Sequence, residues 1–274
     1  MLARDVADFG HPDFTLDDVL ADWATPGLDL ERDGRVEPSP RPQASALLLG
    51  DDALVHVHPD ACGRGLGSTL RELIEARGRE RGTAVLRQFV PVGNEQASAL
   101  LLEAGYWPVQ YYLRLRIALQ DAVAPSNTAV RAFERDQDEL EVHGLVQAAL
   151  AEIEGYLPEP LEVWRRQRIE KRRWDPALWL LLEDEDGLAG AALGERWDNG
   201  VGYVAQLAVA PRARGRGHGR TLLLSLFDAF RRSGLRTAEL SVHGDNRAAA
   251  HLYESVGMRA SWEAQRWEKA LGHE

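Results

Sequence analysis

Three glycines at alternate positions mark the stretch Val209-Ala210-Pro211-Arg212-Ala213-Arg214-Gly215-Arg216-Gly217-His218-Gly219-Arg220. An apolar run precedes it and an apolar helical pattern follows. Glycine lets a backbone approach a ligand closely and adopt angles other residues resist. The first-turn N–H groups of a helix have no intrahelical partner, and the helix dipole adds about half a positive charge there. Strand, glycine loop and helix start, in that order, form an anion site that suits a pyrophosphate. Spacing separates the nucleotide folds that share such loops. A dinucleotide fingerprint needs G-x-G-x-x-G, and here the third glycine comes one place early, at Gly219. Counted from Gly215, the second glycine of a P-loop falls on Arg220, and no Lys follows. A glycine turn without a ligand is the competing reading of one isolated loop.

The loop is not isolated. At a constant offset of 152 residues, Pro59 pairs with Pro211, Ala61 with Ala213, Gly63 with Gly215, Gly65 with Gly217 and Gly67 with Gly219. The match runs on through Leu70 and Leu222, Gly82 and Gly234, Asn94 and Asn246, Gly105 and Gly257. Two copies make a duplicated domain rather than a solenoid. The Pro-, Ser- and Asn-bearing segment 121–127 reads as the linker between domains over 1–120 and 128–274.

The second half supplies the elements that position the loop. Strands are expected over Thr128–Phe133, Ala177–Leu182, Leu188–Trp197 and Val201–Val209, with a hairpin turn at Asp198-Asn199-Gly200. Helices are expected over Asp136–Glu154, Glu162–Arg173, Gly217–Ser233 and Asn246–Ser255, with Gly234 ending the third. Thr237–Val242 is a further strand, and Arg259–Leu271 carries the final ones. The fold class is α/β, each domain a mixed sheet flanked by helices. The first domain reads as truncated or eroded. The offset would place its first strand before Met1, and Val36–Pro42 holds three prolines where a ladder strand belongs.

Arg214-Gly215-Arg216-Gly217-His218-Gly219 resembles motif A, [QR]-x-x-G-x-[GA], of the GNAT N-acetyltransferase superfamily. Asn246-Arg247-Ala248-Ala249-Ala250-His251-Leu252-Tyr253-Glu254-Ser255-Val256-Gly257-Met258 resembles the family's N-x-x-A-x-x-x-Y-x-x-x-G-[FM] segment. The resemblance spans residues 128–274, and 45–119 in part; the tandem layout is similar to that of the mycothiol synthase type. It implies two tandem GNAT-like domains with acetyl-CoA as cosubstrate. It implies that Leu207, Ala208 and Val209 run along the pantetheine arm, and that Arg214, Gly215, Arg216, Gly217, His218, Gly219 and Arg220 surround the pyrophosphate. Asn246 would contact the coenzyme, and Tyr253 would protonate the leaving thiolate, a step open to a phenol of reference pKa near 10. The mycothiol synthase type carries an acid at the position of Tyr203, so the chain departs from it there. Glu195 on the preceding strand is the candidate base, with a solvated hairpin carboxylate as the alternative. Glu152, Glu154 and Tyr156 fall where the family lines its acceptor pocket, with a surface charge run as the alternative.

The first copy keeps Gly63, Gly65, Gly67 and Asn94, which could still hold the coenzyme. It has Cys62 at the [QR] position and Leu101 at the tyrosine position, so it is expected to be noncatalytic. Trp164, Trp174, Trp179 and Trp197 are expected to be packing residues.

Composition bounds the rest. The chain has 274 residues, 45% hydrophobic and 27% charged, with net charge −11. That balance argues against a nucleic-acid partner. One cysteine excludes an intrachain disulfide and a zinc-finger pattern, and the histidines lack metal spacing, so no metal is expected. No apolar run is long enough to span a bilayer and no secretory signal is seen, so a cytoplasmic location is expected. The expected function is acetyl transfer from acetyl-CoA to a primary amine of a small molecule, by direct attack in a ternary complex. A noncatalytic acyl-CoA sensor and a protein N-acetyltransferase are the alternatives.

Overall fold

A computed structural model of the chain describes residues 16–23, 25, 27–37, 42–125, 130–152, 156–170, 174–197 and 200–272. The chain forms two compact units that are not simple halves. Met1–Leu113, His243–Asp245 and Trp262–Glu274 make one; Arg114–Val242 and Asn246–Ser261 make the other.

The first unit opens with short helices α1 (Leu16–Trp23) and α2 (Leu30–Asp33), then strands β1 (Gly34–Val36), β2 (Ala44–Leu49) and β3 (Asp52–Val57). The strand β1 stops before the first proline of the Val36–Pro42 stretch; residues 38–41 lie outside the described ones. Helix α3 (Leu66–Arg81), strand β4 (Val85–Pro91), helix α4 (Glu95–Glu103) and the first part of β5 (Trp107–Ala118) follow. The sheet is mixed: β1/β2 and β2/β3 are antiparallel and β3/β4 parallel. Its last position is filled from the far end of the chain. Ala264–Ala270 of the strand we label β11 (Arg259–Ala270) pair antiparallel with Pro91–Val85 of β4. Trp267 and Leu271 thereby enter a core with Leu48, Leu70, Leu86, Leu101 and Tyr106.

The second unit contains β6 (Val130–Ala132), helices α5 (Glu139–Leu150) and α6 (Leu161–Arg168), and strands β7 (Trp179–Asp184), β8 (Gly187–Arg196) and β9 (Val201–Val209). Helix α7 (His218–Arg232), strand β10 (Thr237–His243) and helix α8 (Arg247–Ser255) complete it. The strand order is β5-β10-β9-β8-β7-β6, with β5 represented by Arg114–Ala118. Four sequence boundaries shift, one of them the end of α6, which stops at Arg168 rather than Arg173. A Pro176–Leu178 turn precedes β7, because Pro176 cannot donate to a ladder. Helix α5 spans twelve residues rather than the whole of Asp136–Glu154. The expected final strands are one twelve-residue strand. The hairpin residues Asp198 and Asn199 lie outside the described ones.

Both faces of this sheet are covered. On one face, Val142 and Val146 of α5 and Trp164 of α6 pack with Phe133, Trp179, Leu181, Leu193 and Ala208. Trp179 meets Trp174 edge-on and Trp164 at a tilt there, as expected of packing aromatics. On the other face α7 lies unusually close. A Cβ added at Gly194 would come within 2.8 Å of Leu226 and Phe230, and one at Gly202 within 2.5 Å of the Phe230 ring. Gly202→Ala therefore forces α7 off the sheet. We expect about 3 kcal/mol of lost stability by urea unfolding; a loss under about 0.5 kcal/mol would show that α7 yields freely.

Candidate active site

The site grows from two irregularities in β9. Leu193 of β8 pairs with Gln206, but its neighbour Gly194 pairs with Val204, leaving Ala205 as an extra, bulged residue. On its other side β9 pairs in parallel with β10 at Val201↔Thr237, Gly202↔Ala238 and Tyr203↔Glu239. Both strands run on, to Val209 and His243, after that pairing ends. The two strands part after Tyr203, and the edge of β9 from Val204 to Val209 faces the opening. Extended ligands add to such an edge through main-chain hydrogen bonds. Leu207, Ala208 and Val209 lie along it. Ala208 is buried on the α5/α6 face, and register puts Leu207 and Val209 on the α7 face.

At the end of β9 the chain makes one tight turn, Pro211–Ala213, and then the glycine loop. Gly215 and Gly217 have φ of 75° and 83°, a region where a Cβ is strained. Gly217 is the N-cap of α7 and no side chain caps that end, so its first-turn amides are available to an anion. His218, Gly219 and Arg220 form that first turn. Gly219 has a packing duty: a Cβ there would stand 3.1 Å from Leu252 and 3.7 Å from Val209.

The loop's cations have local partners. Arg214 pairs with Glu152 at 2.9 Å, and Arg212 with Asp184 at 2.6 Å. Arg216 stands 3.9 Å from Asp184. Such exposed pairs contribute little and are readily exchanged for a doubly charged ligand. Glu152 thus serves the loop. Tyr156 donates to Gln147, and Glu154 lies outside the described residues. Arg220 donates to the Ser255 carbonyl at 2.9 Å, tying α7 to the end of α8. Asn246 caps α8 by accepting from the Ala249 N–H at 3.1 Å.

The first unit repeats this construction. Gly63 and Gly65 have φ of 75° and 81°, Gly65 is an uncapped N-cap of α3, and β3 and β4 pair only at Asp52↔Arg87. A Cβ at Gly67 would meet Leu100 and Val57, the duplicates of Leu252 and Val209. Asn94 caps α4 as Asn246 caps α8. Leu101, in the place of Tyr253, is 2% exposed in that unit's core.

Tyr253, on α8, is 9% exposed. Burial, with the neighbouring Tyr203 adding to it, pushes its phenol up to about 12. It therefore stays protonated through neutral pH, as a proton donor must. Tyr203 lies between acids: Glu195 faces it across β8 and Glu239 across β10. Paired residues share a face, and Gly194 and Gly202 face α7, so all three side chains lie on the α5/α6 face. Trp197 stacks on Tyr203 with ring centroids 4.3 Å apart. Arg114, on β5, lies over Trp197 at 5.3 Å. Burial pulls the Arg114 guanidinium below its usual range, opposed by Tyr203 and Glu239. Among the described residues no group of His, Cys, Asp and Glu could hold a metal, and no helix is long and apolar enough to cross a membrane.

Comparison with known proteins gives a consistent picture. Residues 142–258 match the Acetyltransferase (GNAT) family. A Thermomonospora curvata protein named mycothiol acetyltransferase is 32% identical over 76% of this chain and 70% of its own length. One of the same name from Renibacterium salmoninarum is 30% identical over 76% of this chain, which spans only 64% of that relative. In structure, the chain resembles a GCN5-related N-acetyltransferase from Sphaerobacter thermophilus, with TM-score 0.83 and 27% identity, covering 98% of this chain and 90% of that one. It shares its fold with a tandem GNAT protein from the clavulanic acid biosynthesis pathway, with TM-score 0.68, 15% identity, and coverage of 88% and 84%.

Proposed function

Since the chain belongs to the GNAT acetyltransferase family, we propose that it moves an acetyl group from acetyl-CoA to a primary amine of a small molecule, by direct attack in a ternary complex. The observation that carries this reading is the parting of β9 from β10 after Tyr203, directly upstream of an uncapped glycine-loop helix. An extended arm fits the open strand edge, and a diphosphate fits the amides of Gly215 to Gly219. Tyr253, whose neighbour Tyr203 is the last β9 residue paired with β10, keeps its phenol protonated.

In this reading the second unit does the chemistry. The free edge of β9 fixes the thioester, the amine attacks its carbonyl, and Tyr253 gives its proton to the departing thiolate. Preorganised donors and a correctly held nucleophile supply most of such a rate enhancement. The first unit keeps the loop amides of Gly63, Gly65 and Gly67 but has no phenol at Leu101, so it is assigned a noncatalytic role. The relatives named mycothiol acetyltransferase make cysteinyl glucosamine-inositol amines the first acceptors to try. Tyr203, in place of an acid, favours a different amine.

The test combines coenzyme binding with thiol release over an amine panel. Acetyl-CoA should raise the melting temperature, and at least one primary amine should release free CoA thiol. Gly217→Val, which cannot hold φ near 83° without strain, should weaken acetyl-CoA binding at least about tenfold by calorimetry. Undiminished binding in that variant would remove the loop from the coenzyme site.

A further inference from the structure

Glu239 is 1% exposed, and neither of its carboxylate oxygens has a hydrogen-bond partner. Such a group is costly to bury and calls for a reason. Its place in the sheet supplies one. Glu239 is the last residue of β10 still paired with β9, at the point where the strands part. The Arg116 Nε stands 3.1 Å from Oε1 as a counter-ion, without hydrogen-bond geometry. The charged and titratable neighbours are Arg114 and Arg116 on β5 and Tyr203 on β9, and Tyr203 in turn neighbours Tyr253 of α8. Glu195 faces Tyr203 from β8, on the side of β9 away from the split.

Resting on the function proposed above, we infer that Glu239, not Glu195, takes up the proton of the acceptor amine, through one water where β9 and β10 part. A buried carboxylate with open acceptor positions holds such a water well. The ammonium loses one proton through the water to Glu239, leaving a neutral amine and a carboxylic acid. The amine lone pair forms the N–C bond at the thioester carbonyl, and the C–S bond breaks with its electrons on sulfur. Tyr253 protonates the sulfur, and its phenolate takes the second N–H proton from the nascent amide. Glu239 then returns its proton to solvent, so one amide, one thiol and one proton leave.

The experiment measures kcat/KM for the amine against pH, with acetyl-CoA binding by calorimetry, in wild type, Glu239→Gln, Glu239→Asp and Glu195→Gln. Glu239→Gln should lose about 100-fold near neutral pH and recover as pH rises, because free amine then needs no acceptor for its proton. Its coenzyme affinity should hold. Glu195→Gln should keep the wild-type pH profile. Glu239→Asp preserves the charge opposite Arg114 and Arg116, and so guards against misfolding of the Gln variant. It should lose about tenfold in kcat with the wild-type pH profile retained. A Gln variant with lowered melting temperature but the wild-type pH profile would overturn the inference, leaving Glu239 as a counter-ion only. So would an Asp variant with full kcat. If the wild type binds acetyl-CoA and acetylates an amine, either result sinks this inference alone; a wild type that does neither sinks the function as well.

Discussion

Tyr253→Phe is expected to lower kcat about 1,000-fold while acetyl-CoA affinity stays within about two-fold. The variant removes one oxygen from a ring that is already 9% exposed, so the packing of α8 survives. What it removes is the proton for the leaving sulfur. Burial holds that phenol at about 12, so the wild type remains protonated until well above neutral pH. A thiolate forming in the same pocket becomes basic enough to take the proton as the C–S bond lengthens. The loss should appear in kcat rather than in the KM for acetyl-CoA, because the interaction exists only in the transition state. Turnover within about threefold of wild type would remove Tyr253 from the proposed mechanism.

The second large effect concerns integrity. A fragment of residues 123–274 should not fold cooperatively, and neither should residues 1–122. The first fragment lacks the β5 segment that its sheet needs beside β10. Leu115, Ile117 and Leu119 are 3%, 6% and 1% exposed in that unit, and all three are lost. At about 2 kcal/mol for each buried aliphatic side chain, this is roughly 6 kcal/mol, comparable with the whole stability of a small domain. The other fragment lacks Ala264, Trp267 and Leu271, and the seven-pair ladder from Val85 to Pro91. Circular dichroism and urea titration of each fragment, alone and mixed, would decide it. A sharp unfolding transition in either fragment alone would refute the prediction.

Residue type announced the loop. Glycine at 63, 65, 215 and 217 encodes positive φ, and the structure places all four there. Strand β9 was legible to its ends, Val201 and Val209, because its apolar run is bounded by a glycine turn and a proline. Two things were not legible. The destination of Arg259–Ala270 depends on a partner strand about 180 residues away, and no local period encodes that choice. Glu239 gave only a weak signal, a single acid inside the apolar run Thr237-Ala238-Glu239-Leu240-Ser241-Val242. Strand alternation puts it on a face with Ser241, which reads as ordinary exposure. Only the pairing at Tyr203 shows that this face is covered at that point. The Asn246 side-chain oxygen caps α8, a duty that a residue at a helix start carries in many folds, and its contact with the coenzyme stands as a proposal beside that duty.

The route of the last strand also sets a schedule for biogenesis. The first unit closes only when Leu271 donates its N–H to Ala84 and β11 lines β4. At the usual elongation rates of about 5–20 residues per second, the ribosome takes roughly 10–40 s to go from β4 to that strand. During that interval the nascent chain carries an incomplete sheet with an unpaired β4 edge, the kind of surface that chaperones shield and aggregates recruit.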